Sequence, residues 1–109
     1  MRELPLNALR AFAMVYTHRG VRAAARELGM AHSSVSRHLG ELDRWLGVPL
    51  LHGSAGRGPL IFTPQGEALG RATVAGLHEI EELRLEQSLL VQRQKQPDYP
   101  ANTTRNGLE

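Results

Sequence analysis

The sequence predicts a mainly α-helical fold: three short helices, a two-stranded β wing, and a fourth, long helix. Apolar residues recur at three- and four-residue spacing in four separate runs, which is the mark of amphipathic helices. Gly20, Gly29, Gly47 and Pro64 fall at the ends of those runs, where helices start and stop. Hydrophobic residues make up 41% of the chain but aromatics only 5%, so Leu, Ala, Val and Ile must build the core, which suits packed helices.

The first stripe is Leu6, Leu9, Phe12, Ala13 and Tyr16, broken by His18, Arg19 and Gly20. A second, shorter stripe follows at Val21, Ala24, Ala25 and Leu28, with Gly20 as its N-cap. Gly29 ends it, being the residue best suited to the left-handed conformation just past a helix. A third stripe runs through Val35, Leu39, Leu42 and Leu46, with Trp45 beside it, until Gly47 and Pro49 stop it. Two helices across the turn Gly29, Met30, Ala31 make a helix-turn-helix.

Leu50 and Leu51, a glycine-rich stretch from Gly53 to Gly58, and Leu60 to Phe62 then read as the hairpin of a wing. Thr63 before Pro64 starts the long helix, the threonine acting as cap and Glu67 completing a capping arrangement. Along that helix Leu69, Thr73, Gly76, Ile80, Leu83, Gln87 and Leu90 alternate at four- and three-residue steps, a coiled-coil-like seam. A lone helix on so small a domain has nothing of its own to cover this seam, so Leu69, Gly76, Ile80, Leu83 and Leu90 are expected to pair with a second copy. Past Arg93 the chain is rich in Gln, Pro, Asn and Thr without periodicity and is expected to be disordered. The organisation expected is therefore a winged helix-turn-helix over residues 1–63, a dimerisation helix over 64–93 and a tail over 94–109.

At 109 residues there is room for one small domain and an appendage, since compact domains span about 50–200 residues. The chain has no cysteine, hence no disulfide framework or Cys-based zinc site, and a cytoplasmic setting is expected. Pro5, Asn7 and Arg10 interrupt the apolar residues near the N-terminus, so neither a signal peptide nor a membrane span is expected. Net charge is only +2, but up to Gly70 eight arginines face five acidic residues. Arginine presents a planar donor fork matched to phosphates and guanine edges.

With Val35 and its partners facing inward, the opposite side of the third helix shows Ser33, Arg37, Gly40 and Arg44, flanked by Ser34, Ser36 and Glu41. Short hydroxyl side chains and an arginine near a helix N-terminus suit the major groove, because they allow close approach and arginine bridges the guanine acceptors. His32 at the helix start and Arg22 on the second helix join this set, and Arg57 between Gly56 and Gly58 is placed to reach a phosphate or the minor groove. His38 is expected to be structural. The Ser, His and Asp residues lie on exposed faces or loops, with no G-x-S-x-G motif, and His32 and His38 point to different sides, so no enzyme, metal or cofactor is expected.

LNALRAFAMV, AAARELGMAHSSVSRHLGELDRWLGVPLL and TPQGEAL, at their mutual spacing, resemble the N-terminal domain of LysR-type transcriptional regulators from Leu6 to the end of the long helix. The resemblance implies that the third helix reads the major groove through His32, Ser33, Ser36 and Arg37, that the wing touches the backbone, and that the long helix forms a homodimer. It leaves room for a tetramer in a full-length form, with a small-molecule effector domain that lies outside this chain. The sequence departs from the family at His32 and Ser33, where Gln and Pro are common, at Ala31, where a serine cap is usual, and near Gly53, where an arginine is usual. The winged domain is also similar to that of the molybdate-responsive ModE regulators. A rival reading is a protein-interaction module acting through the long helix.

Overall fold

The computed structural model describes residues 3–53 and 59–95, with side chains to residue 93. Four helices follow in order: α1 (Leu6–His18), α2 (Val21–Leu28), α3 (His32–Leu46) and α4 (Pro64–Lys95). The chain divides into two compact units, Met1–Leu77 and His78–Glu109, so the first turns of α4 belong with α1 to α3. The wing tip with Arg57 and the tail from residue 96 lie outside the described residues.

In the first unit α1 packs against both α2 and α3, which also pack on each other. Ala8, Phe12, Val15, Val21, Ala24, Ala25, Val35, Leu39, Leu42, Leu50 and Phe62 form one buried cluster. The face of α1 is broader than the expected stripe. Ala8, Ala11 and Val15 are buried with Phe12 and Ala13, whereas Leu6 is 67% exposed and Leu9 and Tyr16 are half-buried. A helix sandwiched between two others needs apolar residues on more than one side, and alanines permit the close approach. Leu46, at the end of α3, is likewise partly exposed.

The helix boundaries follow local chemistry. Gly20 is the N-cap of α2, and Gly29 (φ 65°) ends that helix, its N–H bonding back to Ala25 and Arg26. Ala31 precedes α3 without a side-chain cap, and Gly47 ends it. Asp43 Oδ1 accepts the N–H of Leu50 at 3.1 Å, holding the chain as it leaves α3.

The wing is slighter than expected. Among the described residues there is no strand, only one antiparallel bridge, Leu51 to Phe62, flanked by hydrogen bonds from His52 N–H to Ile61 O (2.8 Å) and Thr63 N–H to Leu50 O (3.0 Å). The facing segments are two or three residues long, and Pro59 has no N–H to extend a ladder.

The start of α4 is pinned to this framework. Thr63 Oγ1 accepts the N–H of Gly66 at 3.0 Å and donates to Pro49 O at 2.8 Å. Glu67 does not complete a capping box, because that role belongs to the third helical residue, which is Gly66. Its carboxylate instead accepts the Tyr16 hydroxyl at 2.9 Å and Arg19 Nη1 at 3.3 Å. The Tyr16 hydrogen bond first, then Arg19, holds the Glu67 carboxyl below its ordinary value. Gly66 and Gly70 make close approach possible: a Cβ at Gly66 would lie 2.1 Å from Leu50 O, and one at Gly70 would lie 2.2 Å from Tyr16 Cδ1. Leu69 packs against the buried cluster, so this member of the expected seam faces its own domain.

Candidate nucleic-acid interface

The core holds α3 from behind. Val35, Leu39 and Leu42 are buried, and Val35 and Leu42 are wholly inaccessible. The helical period then carries the other side outward: His32, Ser33, Ser36, Arg37, Glu41 and Arg44 are exposed, and Ser34 is half-exposed. Hydroxyls and arginine thus share one solvent-facing surface beginning at the first turn of α3. With alanine as N-cap, no side chain competes for the N–H groups of that turn, the end of a helix that favours negative charge.

The remaining expected contacts divide. Arg22 lies exposed on α2, the helix before the turn, and Arg57 lies outside the described residues. His38 is mostly covered and pairs with Glu41 through Nδ1 and Oε1 at 3.4 Å, so its ring serves the helix surface. Among the described residues there is no group of three or more His, Cys, Asp or Glu able to hold a metal ion. No helix among them is long and apolar enough to cross a membrane.

In the second unit the described part of α4 carries several uncovered apolar side chains. Ile80 is 64% exposed, Leu83 55% and Leu89 67%, and Leu85, Leu90 and Val91 are also exposed. Gly76, on the last turns of the first unit, has no atom within 4 Å of where a Cβ would stand. The expected seam residues Ile80, Leu83 and Leu90 are therefore uncovered in the single chain, and Gly76 is half-buried with room beside it, whereas Leu69 packs on its own domain. Leu85, Leu89 and Val91 were not part of that seam; by helical spacing Val91 borders it, whereas Leu85 and Leu89 lie on the opposite side of the helix. Glu81 and Arg84 pair along the helix, Arg84 Nε lying 3.1 Å from Glu81 Oε2.

Reading from sequence also missed the group at the joint of α1 and α4. Arg19, exposed at the end of α1, takes the left-handed conformation (φ 55°). Its guanidinium carbon lies 4.5 Å from the Tyr16 ring centroid and 4.8 Å from that of Phe62. The available signal was a helix ending at His18 before an Arg-Gly pair; Tyr16 is three positions away, but Phe62 and Glu67 are 43 and 48 positions away along the chain, and no local pattern names them.

A helix-turn-helix whose second helix turns hydroxyls and an arginine to solvent, held by a buried apolar face, defines a DNA-binding domain of the transcription-regulator class. Residues 6–67 match the family described as "Bacterial regulatory helix-turn-helix protein, lysR family". The chain belongs to the lysR family of bacterial regulators.

Two curated relatives agree. The AhcY transcriptional activator HvrB of Rhodobacter capsulatus is 36% identical over 77 residues, which is 71% of this chain and 26% of that protein. The HTH-type transcriptional activator AmpR of Citrobacter freundii is 40% identical over 67 residues, 61% of this chain and 22% of that protein. The chain thus spans about a quarter of the length of the curated relatives it matches. Among solved structures, the BenM DBD in complex with catB site 1 DNA superposes with a TM-score of 0.72 at 25% identity, covering 81% of this chain and 96% of that one. The oxidized form of Corynebacterium glutamicum OxyR gives 0.68 at 28% identity, covering 79% of this chain and 27% of that one.

Proposed function

We propose that this chain is the sequence-specific, double-stranded-DNA-binding part of a transcription regulator, acting as a homodimer on an inverted-repeat site. The observation that carries the reading is the solvent-facing set Ser33, Ser36 and Arg37 on α3, backed by buried Val35, Leu39 and Leu42. Each α3 enters a major groove, where the serines permit close approach and Arg37 bridges guanine N7 and O6. Arg22 and the N-terminal N–H groups of α3 take phosphates, fixing register without reading sequence. The BenM DBD, crystallised with catB site 1 DNA, supports this mode. Dimerisation runs through Ile80, Leu83 and Leu90 on α4, with Val91 bordering them, and their exposure in one chain supports a second copy as their cover.

The test is an anisotropy titration against duplexes selected from a random pool. Affinity should fall by about 0.9 log units per log unit of salt for each phosphate neutralised. Arg37→Ala should lose specific affinity by roughly 1–3 kcal/mol. Association with no duplex at low salt, or an unchanged footprint for Arg37→Ala, refutes this role. A module acting only through the apolar surface of α4 would show no such salt slope.

A further inference from the structure

We infer that Arg19 is a positioning residue: one guanidinium ties the end of α1, the base of the wing and the first turns of α4 together, and so fixes the direction of those turns relative to α3. Resting on the dimeric DNA-binding reading above, this assigns Arg19 control over the half-site spacing that the two α3 helices accept, although Arg19 itself need not touch DNA.

Three observations meet at this residue. Its contacts come from three elements: the Tyr16 ring at 4.5 Å on α1, the Phe62 ring at 4.8 Å at the wing bridge, and Glu67 Oε2 at 3.3 Å on α4. The Tyr16 hydroxyl holds the other oxygen of Glu67 at 2.9 Å, so ring and carboxylate are already ordered for the guanidinium. Arg71 also approaches Glu67, at 3.9 Å, but from within α4 and therefore joins no second element.

The backbone points the same way. Arg19 is the one non-glycine residue with positive φ among those described, a conformation that disfavours any side chain with a Cβ. Its pair with Glu67 is open to solvent, with the two side chains 52% and 36% exposed, and such pairs contribute little to stability. An arginine held in a disfavoured conformation for a weak pair is better explained by the geometry it imposes than by the stability it adds. On one face α4 already has no slack, since Gly66 meets Leu50 and Gly70, one turn on, meets Tyr16 at distances that exclude a Cβ. Arg19 adds a hold beside that face, through Glu67.

Spacing is the readout because B-DNA is helical. One added base pair turns the second half-site by about 35° and moves it by about 3.4 Å. A rigid joint refuses that change and a loosened one absorbs it.

The experiment uses the whole chain and duplexes carrying its selected inverted repeat at the preferred spacing or one base pair longer or shorter, with a single half-site as control. Arg19→Asn removes the guanidinium but keeps a residue that tolerates positive φ; Arg19→Lys keeps the charge. Wild type should prefer one spacing by about tenfold or more, the scale of a lost base contact. Arg19→Asn should narrow that preference to about threefold or less with half-site affinity unchanged, and Arg19→Lys should restore part of it. Full wild-type preference in Arg19→Asn overturns the proposal and leaves the DNA-binding dimer standing. A wild-type chain that binds DNA with no spacing preference removes the dimer reading, and this proposal with it.

Discussion

Replacing Gly66 with alanine tests how tightly α4 is joined to the DNA-reading domain. The new Cβ would stand 2.1 Å from Leu50 O, 3.0 Å from Leu50 C and 3.3 Å from Leu50 Cα. Ordinary contact between carbon and a carbonyl oxygen is about 3.3–3.6 Å, so the two backbones must part by more than about 1 Å. Neither is a flexible side chain that can swing away. The same Leu50 carbonyl accepts Thr63 N–H at 3.0 Å, and Thr63 Oγ1 links Pro49 O to Gly66 N–H at 2.8 and 3.0 Å. Separation would stretch these bonds beyond useful length. Overpacking costs about 1–3 kcal/mol, each hydrogen bond lost about 1 kcal/mol, and the better helix propensity of alanine returns about 1 kcal/mol. The net expectation is a destabilisation of roughly 2–4 kcal/mol. For a small domain with a urea m-value of about 1–1.5 kcal/mol/M, the midpoint should fall by about 2 M. Urea unfolding followed by circular dichroism reads this directly. A loss below about 1 kcal/mol would mean that the Leu50–Gly66 contact is not a constraint and that the first turns of α4 are not rigidly joined to the wing.

Other outcomes follow from the same structure. Gly76→Ala meets no atom within 4 Å in the single chain, so it should stabilise α4 by up to about 1 kcal/mol; if a partner helix closes on Gly76, analytical ultracentrifugation will instead show a weaker dimer. Leu83→Asp places a charge in the apolar row of α4 and should shift sedimentation toward monomer, whereas unchanged sedimentation would remove Leu83 from the interface. Glu67 titrates below its ordinary value because it accepts hydrogen bonds from Tyr16 and Arg19. A depressed carboxyl favours the folded state above the unfolded-state value near 4.5 and loses that contribution as pH falls through the lower, folded value. Carbon-detected NMR of the side-chain carboxyl should show the downward shift, and Arg19→Asn should reduce it.

Much of the surface proposed to read DNA was legible because it is written in local periodicity. Val35, Leu39 and Leu42 recur at helical spacing, which turns Ser33, Ser36 and Arg37 to the opposite side, and the structure buries the first group and exposes the second. Gly29 and Gly47 end their helices in the left-handed conformation, and Thr63 caps α4, since caps and stops are decided within a few residues. The wing was overstated because a pair of apolar clusters around glycines gives no measure of how many ladder bonds will form; among the described residues only one bridge does. Leu69 was read as seam because periodicity finds an apolar face without saying what covers it, and here its own domain does.

The helices, their ends and the outward face of α3 follow from local pattern, since each depends on residues within about one or two helical turns of one another. How the first turns of α4 are held against α1 and the wing emerges from packing alone. The contacts of Arg19 with Glu67 and Phe62, of Tyr16 with Gly70, and of Leu50 with Gly66 unite residues far apart in the chain. Such contacts depend on how folded elements pack, and no spacing along the chain encodes them.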